Sequence, residues 1–233
     1  MSGEAASSQL IEGFVVTTAA RYMGYRFAML GALTQALVRL RGARRYEDAI
    51  LTSAIRQIVQ VGIDTEVSVI ESATQKVLAA DSEAAQVSAS KEIASTVGLI
   101  TEQLRRDARK ILRYFKAILL AVEHYRSQGL TQEESVAKAE TLRSADLQFK
   151  YLDAAGREWS AERYLEVVVR SHFYQVLNSA RLEKMRLDGA RSGVIHNPNG
   201  SSDGVHFAVG VWGSIKAKFF HPNSRAILSR GSE

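Results

Sequence analysis

Six cationic side chains and one acid, Asp107, lie within the twelve residues from 105 to 116. The cations are Arg105, Arg106, Arg109, Lys110, Arg113 and Lys116. Four of them recur at steps of four, four and three, which places them on one face of a helix. Such a face could neutralise DNA phosphates without reading base sequence, or it could bind an acidic patch on a protein partner. A solvated outer face explains the same pattern, and the sequence leaves these three interpretations open.

Three of the five histidines, His196, His206 and His221, lie near the C-terminus with Asp203 among them. Imidazoles and a carboxylate are donors that tetrahedral zinc accepts, so the three histidines are weak candidates for metal ligands. Their gaps of 10 and 15 residues put no two of them on one helical turn. Histidines held by ordinary hydrogen bonds are therefore the favoured interpretation, and no metal or other cofactor is expected.

Sequence motifs for catalysis give little support for an enzyme. The chain has no phosphate-binding G-x-x-x-x-G-K-[ST], no G-x-G-x-x-G and no H-E-x-x-H. It also has no cysteine, which excludes disulfides, thiolate nucleophiles and cysteine-ligated metals. Ser171 and His172 are adjacent but point about 100° apart on a helix. We therefore predict that the protein is not an enzyme; a nuclease or toxin-like effector using Asp203 and His206 is the remaining catalytic alternative.

The length and the charge of the chain limit the classes of protein to which it can belong. The 233 residues carry a net charge of +5 and are 46% hydrophobic, which is ordinary for a globular chain. The longest uncharged stretch, from Phe27 to Val38, is too short to cross a membrane. The N-terminus does not have the pattern of a secretory signal. No membrane partner is expected.

The elements that must position these side chains are mostly helices. Both prolines, Pro198 and Pro222, lie in the C-terminal part, so the first 197 residues are free to be helical. Apolar periodicity and end signals predict helices at 8–41, 46–80, 93–127 and 161–188, with a further helix after a capping box formed by Thr131 and Glu134. Gly62 is expected to interrupt the second helix. Residues 79–92 predict a weakly packed helix or a linker.

Particular residues are expected to form the buried faces. The candidates in the first helix are Leu10, Phe14, Met23, Phe27, Leu30, Leu33 and Leu37. Those in the second are Ile50, Ile55, Ile58, Val61, Val69 and Leu78. Those in the third are Leu104, Ala108, Ile111, Phe115, Ile118 and Val122, opposite the cations. In the helix at 161–188, Arg170 falls within an apolar run, and a buried arginine needs partners; we expect it to clamp this helix to the C-terminal tail.

The tail beyond residue 189 has a different pattern. Alternation from Val205 to Val211 predicts a strand, residues 226–228 predict a second strand, and Asn199-Gly200 predicts a turn. The predicted fold class is mainly α, an elongated multi-helix bundle with a small C-terminal α+β tail of turns and short strands. Residues 1–150 form the predicted N-terminal helical region, and 151–233 a core helix with the β-containing tail.

One segment is more specific than these patterns. Residues 153–189 contain D-x-x-G-R-x-W, then a helix with Y-x-x-x-x-x-R-S, then L-x-x-x-x-x-x-G. The matching residues are Asp153, Gly156, Arg157, Trp159, Tyr164, Arg170, Ser171, Leu182 and Gly189. This segment resembles the core of the tailed-phage minor capsid proteins, the head-morphogenesis family related to the Mu-type minor head protein. The resemblance covers about residues 150–229.

A second motif follows in the order expected for that family. His221, Pro222, Asn223, Ser224 and Arg225 resemble its H-P-N-C-R motif, with Ser224 in place of the cysteine. Family members often add a C-x-x-C pair that looks like a metal or thiol site. Because this chain has no cysteine, that site is not expected here, and packing and hydrogen bonds must hold the tail together.

The resemblance implies a structural minor capsid protein. Its expected partners are the portal protein, the major capsid protein or both, during head assembly and DNA packaging or delivery, with non-specific contact to packaged DNA through residues 105–116. It implies several copies in an oligomeric assembly, located in the virion and, during assembly, in the host cytoplasm. The alternative is a stand-alone helical protein that binds or condenses DNA through the same basic face.

Overall fold

A computed structural model describes residues 3–42, 48–82, 84–85, 88–143, 147, 149–152, 156–197, 203–213 and 224–231. Its helices are α1 (Gly3–Gly42), α2 (Asp48–Ala79), α3 (Ser90–Ser127), α4 (Gln132–Arg143) and α5 (Ala161–Leu187). Its strands are β1 (Lys150–Leu152), β2 (Glu158–Ser160), β3 (Ser192–His196), β4 (Val205–Ala208) and β5 (Ile227–Arg230). The fold is thus mainly α with a small C-terminal α+β part, which confirms the predicted fold class.

The helix ends follow from identifiable residues. Thr131 Oγ1 accepts a hydrogen bond from the Glu134 amide at 3.3 Å, and the Thr131 amide donates to Glu134 Oε2 at 2.9 Å. This is the predicted capping box at the start of α4. Gly129 after α3 and Gly189 after α5 have φ of 93° and 71°, a backbone conformation that glycine adopts without steric cost.

The predicted buried face of α3 is confirmed. Its six apolar candidates, from Leu104 to Val122, are all buried. The face predicted for α1 is only partly confirmed: Leu33 is buried, but Leu10 and Phe27 are exposed. The buried line also includes Ile11, Tyr22 and Met29, which were not predicted. The reason is that most sides of α1 carry apolar or small residues, so the apolar pattern does not show which side faces the core. In α3 the charged residues mark the outer side, and the inner face is therefore clear from the sequence.

In α2 the prediction is partly wrong as well. Ile55 and Leu78 are buried as predicted, but Ile50 and Val61 are exposed. Gly62 does not interrupt the helix, which runs unbroken from Asp48 to Ala79. A Cβ atom at residue 62 would lie 3.2 Å from Leu104 Cδ1, so this glycine permits a close approach of α3.

The exposed side of α1 between residues 20 and 38 carries no charge. Its exposed residues are Ala20, Gly24, Phe27, Ala28, Gly31, Thr34, Gln35 and Val38. Phe27 is 63% exposed and Val38 is 60% exposed. The hydroxyl of Thr34 donates to the Leu30 carbonyl of its own helix at 3.0 Å, which leaves its methyl group as the surface it presents. Among the described residues, no helix is both long and apolar enough to cross a membrane.

The chain divides into two compact units. Unit 1 consists of Met1–Ala19, Glu66–Leu99 and Arg163–Glu233, and unit 2 of Ala20–Thr65 and Ile100–Glu162. Each unit thus combines segments that are distant in sequence. The predicted boundary at residue 150, where the resemblance to the minor capsid family begins, stays a prediction.

Within unit 1, three strands form an antiparallel sheet in the order β4-β3-β5. Strand β3, which was not predicted, pairs Ile195 with Val205 on one side and with Leu228 on the other. The predicted strand at 205–211 ends at Ala208, because residues 209–211 form a 3-10 turn. The predicted turn at Asn199-Gly200 lies outside the described residues.

The sheet packs on the last turns of α5. The buried cluster between them consists of Leu182, Met185, Ala190, Ile195, Phe207, Val209, Trp212, Ala226 and Leu228. The rings of Phe207 and Trp212 lie 4.8 Å apart, centroid to centroid. A Cβ atom at Gly193 would lie 2.4 Å from Phe207 Cζ, so glycine lets this ring approach the β3 backbone closely.

Strand β5 lies at the edge of the sheet, and α5 satisfies its backbone. Asn178 Nδ2 donates to the Ala226 carbonyl at 2.8 Å, and the Leu228 amide donates to Asn178 Oδ1 at 2.9 Å. Arg181 Nη1 donates to the Leu228 carbonyl at 2.7 Å. Two side chains of one helix therefore bind three backbone groups on the open side of this edge strand and of the residue before it.

Candidate functional site

The basic cluster of residues 105–116 lies on α3 in unit 2. Arg105, Arg106, Arg109, Arg113 and Lys116 are exposed, and Lys110 is half-buried. Asp107, the single acid of the cluster, is only 3% exposed and faces inward. The solvent side of this segment therefore presents cations without the carboxylate that the sequence places among them.

Asp107 is the centre of a buried polar network. It accepts hydrogen bonds from the Tyr22 hydroxyl, from Arg26 Nε at 3.2 Å and from Gln103 Nε2 at 3.1 Å. Burial, followed by the neighbouring Asp107 carboxylate, raises the pKa of Tyr22, so Tyr22 stays a neutral donor. The network holds Asp107 on the inner side of α3, while the arginines of the same segment are exposed.

The six cations divide into three pairs. Arg106 and Lys110 lie over the rings of Tyr151 and Phe149, at 5.7 and 5.9 Å from the centroids, a favourable cation–π geometry. Arg105 and Arg109 line a groove between α2 and α3. The third pair, Arg113 and Lys116, is exposed further along α3.

The groove between α2 and α3 has a volume of about 720 Å³. Arg56 of α2 and Arg105 and Arg109 of α3 line it together with Gln57 and Gln60. The apolar side chains that line it are Ile55, Val59, Ile63, Ala108 and Leu112. Arg109 also binds Glu102 at 2.7 Å, with both side chains about half exposed. The groove thus combines a cationic rim with an apolar floor.

The first motif of the family resemblance builds a hairpin and the start of α5. Gly156 has φ of 78° between β1 and β2, and Trp159 of β2 pairs with Tyr151 of β1. The guanidinium carbon of Arg157 lies 5.8 Å from the Trp159 ring centroid. Asp153, the first residue of the motif, lies outside the described residues.

The rest of the two motifs lies in unit 1, where their arginines meet at one carboxylate. Arg170 donates to Glu12 of α1 through Nε at 3.0 Å and Nη2 at 3.0 Å. Arg225 of the tail reaches Glu12 Oε2 at 3.2 Å. The partner of Arg170 is therefore a carboxylate on α1, which the tail also binds. His221 and Asn223 of the second motif lie outside the described residues.

Two residues outside the motifs, Asp81 and Arg181, also hold unit 1 together, and the sequence did not predict this role for either of them. Asp81, 4% exposed, accepts two hydrogen bonds from Arg181, which is 2% exposed. Its segment was predicted to be a weakly packed helix or linker, and it is a packed connector, with the Ala85 amide donating to the Ala180 carbonyl. The sequence carried one signal for each residue: Asp81 is an acid among small residues, and Arg181 is an arginine on a largely apolar helix.

The candidate histidines do not form a metal site in the described part of the chain. His196 Nε2 lies 2.6 Å from Ser229 Oγ on the neighbouring strand, and His206 is exposed. Asp203 Oδ1 accepts a hydrogen bond from the Asn197 amide at 2.8 Å. No group of three or more histidine or carboxylate side chains that could hold a metal occurs among these residues.

A second cavity, of about 440 Å³, lies beside the buried His172 in unit 1. His172 Nε2 is 3.1 Å from Thr74 Oγ1, which itself donates to the Ile70 carbonyl at 2.7 Å. Burial lowers the pKa of His172 to about 4, against the opposing effect of Glu92. The imidazole is therefore neutral at physiological pH and is held as part of the core.

Comparison with known proteins gives no further assignment. No family model matches the chain, and no curated protein or solved structure is significantly similar to it.

Proposed function

We propose that this protein is a structural component of a tailed-phage head. It binds the portal or the inner capsid surface during head assembly and DNA packaging or delivery. The observation that carries the proposal is the convergence of Arg170 and Arg225 on Glu12. Each arginine belongs to one of the two motifs that resemble the minor capsid family, and the motifs are far apart in sequence.

The surfaces of the protein also support a role in binding. A cationic face on α3 and an uncharged face on α1 are both exposed over several helical turns. Interaction surfaces of this kind suit a protein that works by docking. Three polar residues of α5, Arg170, Asn178 and Arg181, have structural partners within unit 1.

Purified particles test the proposal. Mass spectrometry of phage heads from the source of this gene should detect the polypeptide, and chemical crosslinking should join it to the portal or the capsid protein. Deletion of the gene should lower the yield of DNA-filled heads, and expression of the wild-type chain should restore it. Particles that lack the polypeptide would contradict the proposal.

A second candidate function is binding of DNA by the isolated protein. The burial of Asp107 favours it, because the exposed part of residues 105–116 is then entirely cationic. Titration with duplex DNA at about 50 and about 200 mM salt tests it, since phosphate neutralisation makes affinity fall steeply with salt. Tight, salt-sensitive binding by a protein that does not enter particles would favour this function over the first.

A further inference from the structure

We infer that the groove between α2 and α3 binds an acidic amphipathic helix of a protein partner. Its rim is formed by Arg56, Arg105 and Arg109, and its floor includes Ile55, Val59 and Leu112. The inference deepens the proposed function, because it rests on the protein acting by docking and assigns the chemistry of the partner.

The floor of the groove distinguishes a protein partner from DNA. A nucleic-acid backbone offers phosphates to the arginines but no apolar group for the floor. An amphipathic helix offers both, with apolar side chains spaced three and four residues apart and carboxylates on its flanks. Such a helix therefore contacts both the cationic rim and the apolar floor of the groove.

The charge and the length of the groove indicate what kind of partner helix it can bind. Among the described residues that line the groove, three carry guanidinium groups and none carries a carboxylate. Glu102 already pairs with Arg109, so Arg56 and Arg105 are the cations that attract an acidic partner and repel a basic one. The lining residues of α2 run from Ser53 to Ile63. At 1.5 Å per residue this is about 15 Å, or about three turns of a bound helix.

The other cations of α3 provide the contrast that makes the inference testable. Arg113 and Lys116 are exposed on the same helix but do not line the groove. A partner seated in the groove depends on Arg56 and Arg105 and is largely indifferent to Arg113 and Lys116. A duplex that neutralises the whole cationic face depends on both pairs.

The experiment uses the chain of 233 residues and three fluorescent probes. The first is a synthetic peptide of about 18 residues with leucines on one helical face and glutamates elsewhere. The second has the same composition in an order that gives no apolar face, and the third is a short DNA duplex. The groove variant R56E/R105E and the control variant R113E/K116E change the charge equally, and circular dichroism verifies that both are folded.

The expected result is saturable binding of the amphipathic peptide in fluorescence anisotropy. The groove variant should weaken it by about tenfold or more and the control by about twofold or less. The scrambled peptide should bind about tenfold more weakly. Absence of peptide binding, equal loss in both variants, equal binding of the scrambled peptide, or tighter binding of the duplex would overturn the inference. Because this assay needs no particles, its failure leaves detection in phage heads as a separate result.

Discussion

Arg181 of α5 binds Asp81 through two guanidinium nitrogens, with Nε at 3.0 Å and Nη2 at 2.6 Å from the same carboxylate oxygen. Ser7 of α1 donates to that oxygen as well, at 3.1 Å. Through its third nitrogen Arg181 reaches the backbone of β5. One buried ion pair thus joins the connector after α2, the helix α5 and the tail sheet within unit 1.

Loss of the Asp81 carboxylate should be strongly destabilising. Asp81→Ala leaves the Arg181 guanidinium buried and uncompensated, which costs about 3–5 kcal/mol. For a chain of this size, that corresponds to a melting temperature about 10 °C lower. The control is Asp188→Ala, which breaks an exposed pair between the residue just after α5 and Lys184 and should cost about 1 kcal/mol or less. Similar losses in the two variants would contradict the assigned role.

Arg170 should contribute to stability through Glu12. Arg170→Ala removes a two-nitrogen contact made by a side chain that is 7% exposed, and we expect a loss of about 1–3 kcal/mol. Arg170→Lys should lie between, because an ammonium cannot reproduce the guanidinium fork. Arg163→Ala, at an exposed position of the same helix, should have little effect. Thermal melts of Arg170→Ala equal to wild type would refute this prediction.

His172 should make the stability of the protein depend on pH. Its pKa is lowered to about 4 by burial, below the value of about 6.5 for an unfolded histidine. The stabilising contribution is therefore complete above about pH 6.5 and is lost as pH falls towards 4, amounting to about 3 kcal/mol. Urea unfolding of wild type and His172→Gln between these limits measures it. The difference between the two proteins should change with pH; a constant difference would contradict the assignment.

Glycines in helices should respond to alanine according to their surroundings. A Cβ atom at Gly31 meets nothing within 4 Å, whereas one at Gly62 lies 3.2 Å from Leu104 and 3.3 Å from Tyr25. Gly31→Ala should raise the unfolding free energy by about 1 kcal/mol through helix propensity. Gly62→Ala should gain less than half as much, because the helices must give way. Chemical denaturation of both variants tests the comparison, and equal gains would show that α2 and α3 are not in close contact there.

The sequence predicted most where two independent signals coincided. Helix α3 combined apolar periodicity with cations on the opposite face, and the start of α4 combined Thr131 and Glu134 with a preceding glycine. The inner face of α1 was partly mispredicted because small and apolar residues surround the helix. The buried orientation of Asp107 was not anticipated either, since its position among cations is equally consistent with a surface ion pair.

The candidate site depended on contacts between distant segments. Arg170 was predicted to need a partner, but Glu12 is separated from it by more than 150 residues, and no local pattern links them. Strand β3 escaped prediction because Ser192, Gly193 and His196 interrupt its apolar alternation. Its identity as a strand comes from pairing with β4 and β5 on both sides.

The uncharged side of α1 has a consequence for the behaviour of the protein in solution. Salt screens interactions between charges. Because this surface carries no ionised groups, binding of another molecule to it should not weaken when the ionic strength rises. Excluded salts such as sulfate strengthen the burial of apolar groups like Phe27 and Val38. Concentrated sulfate should therefore favour association of the protein through this side of α1. The same salt screens the charges of the arginines on α3, so binding through those arginines should weaken.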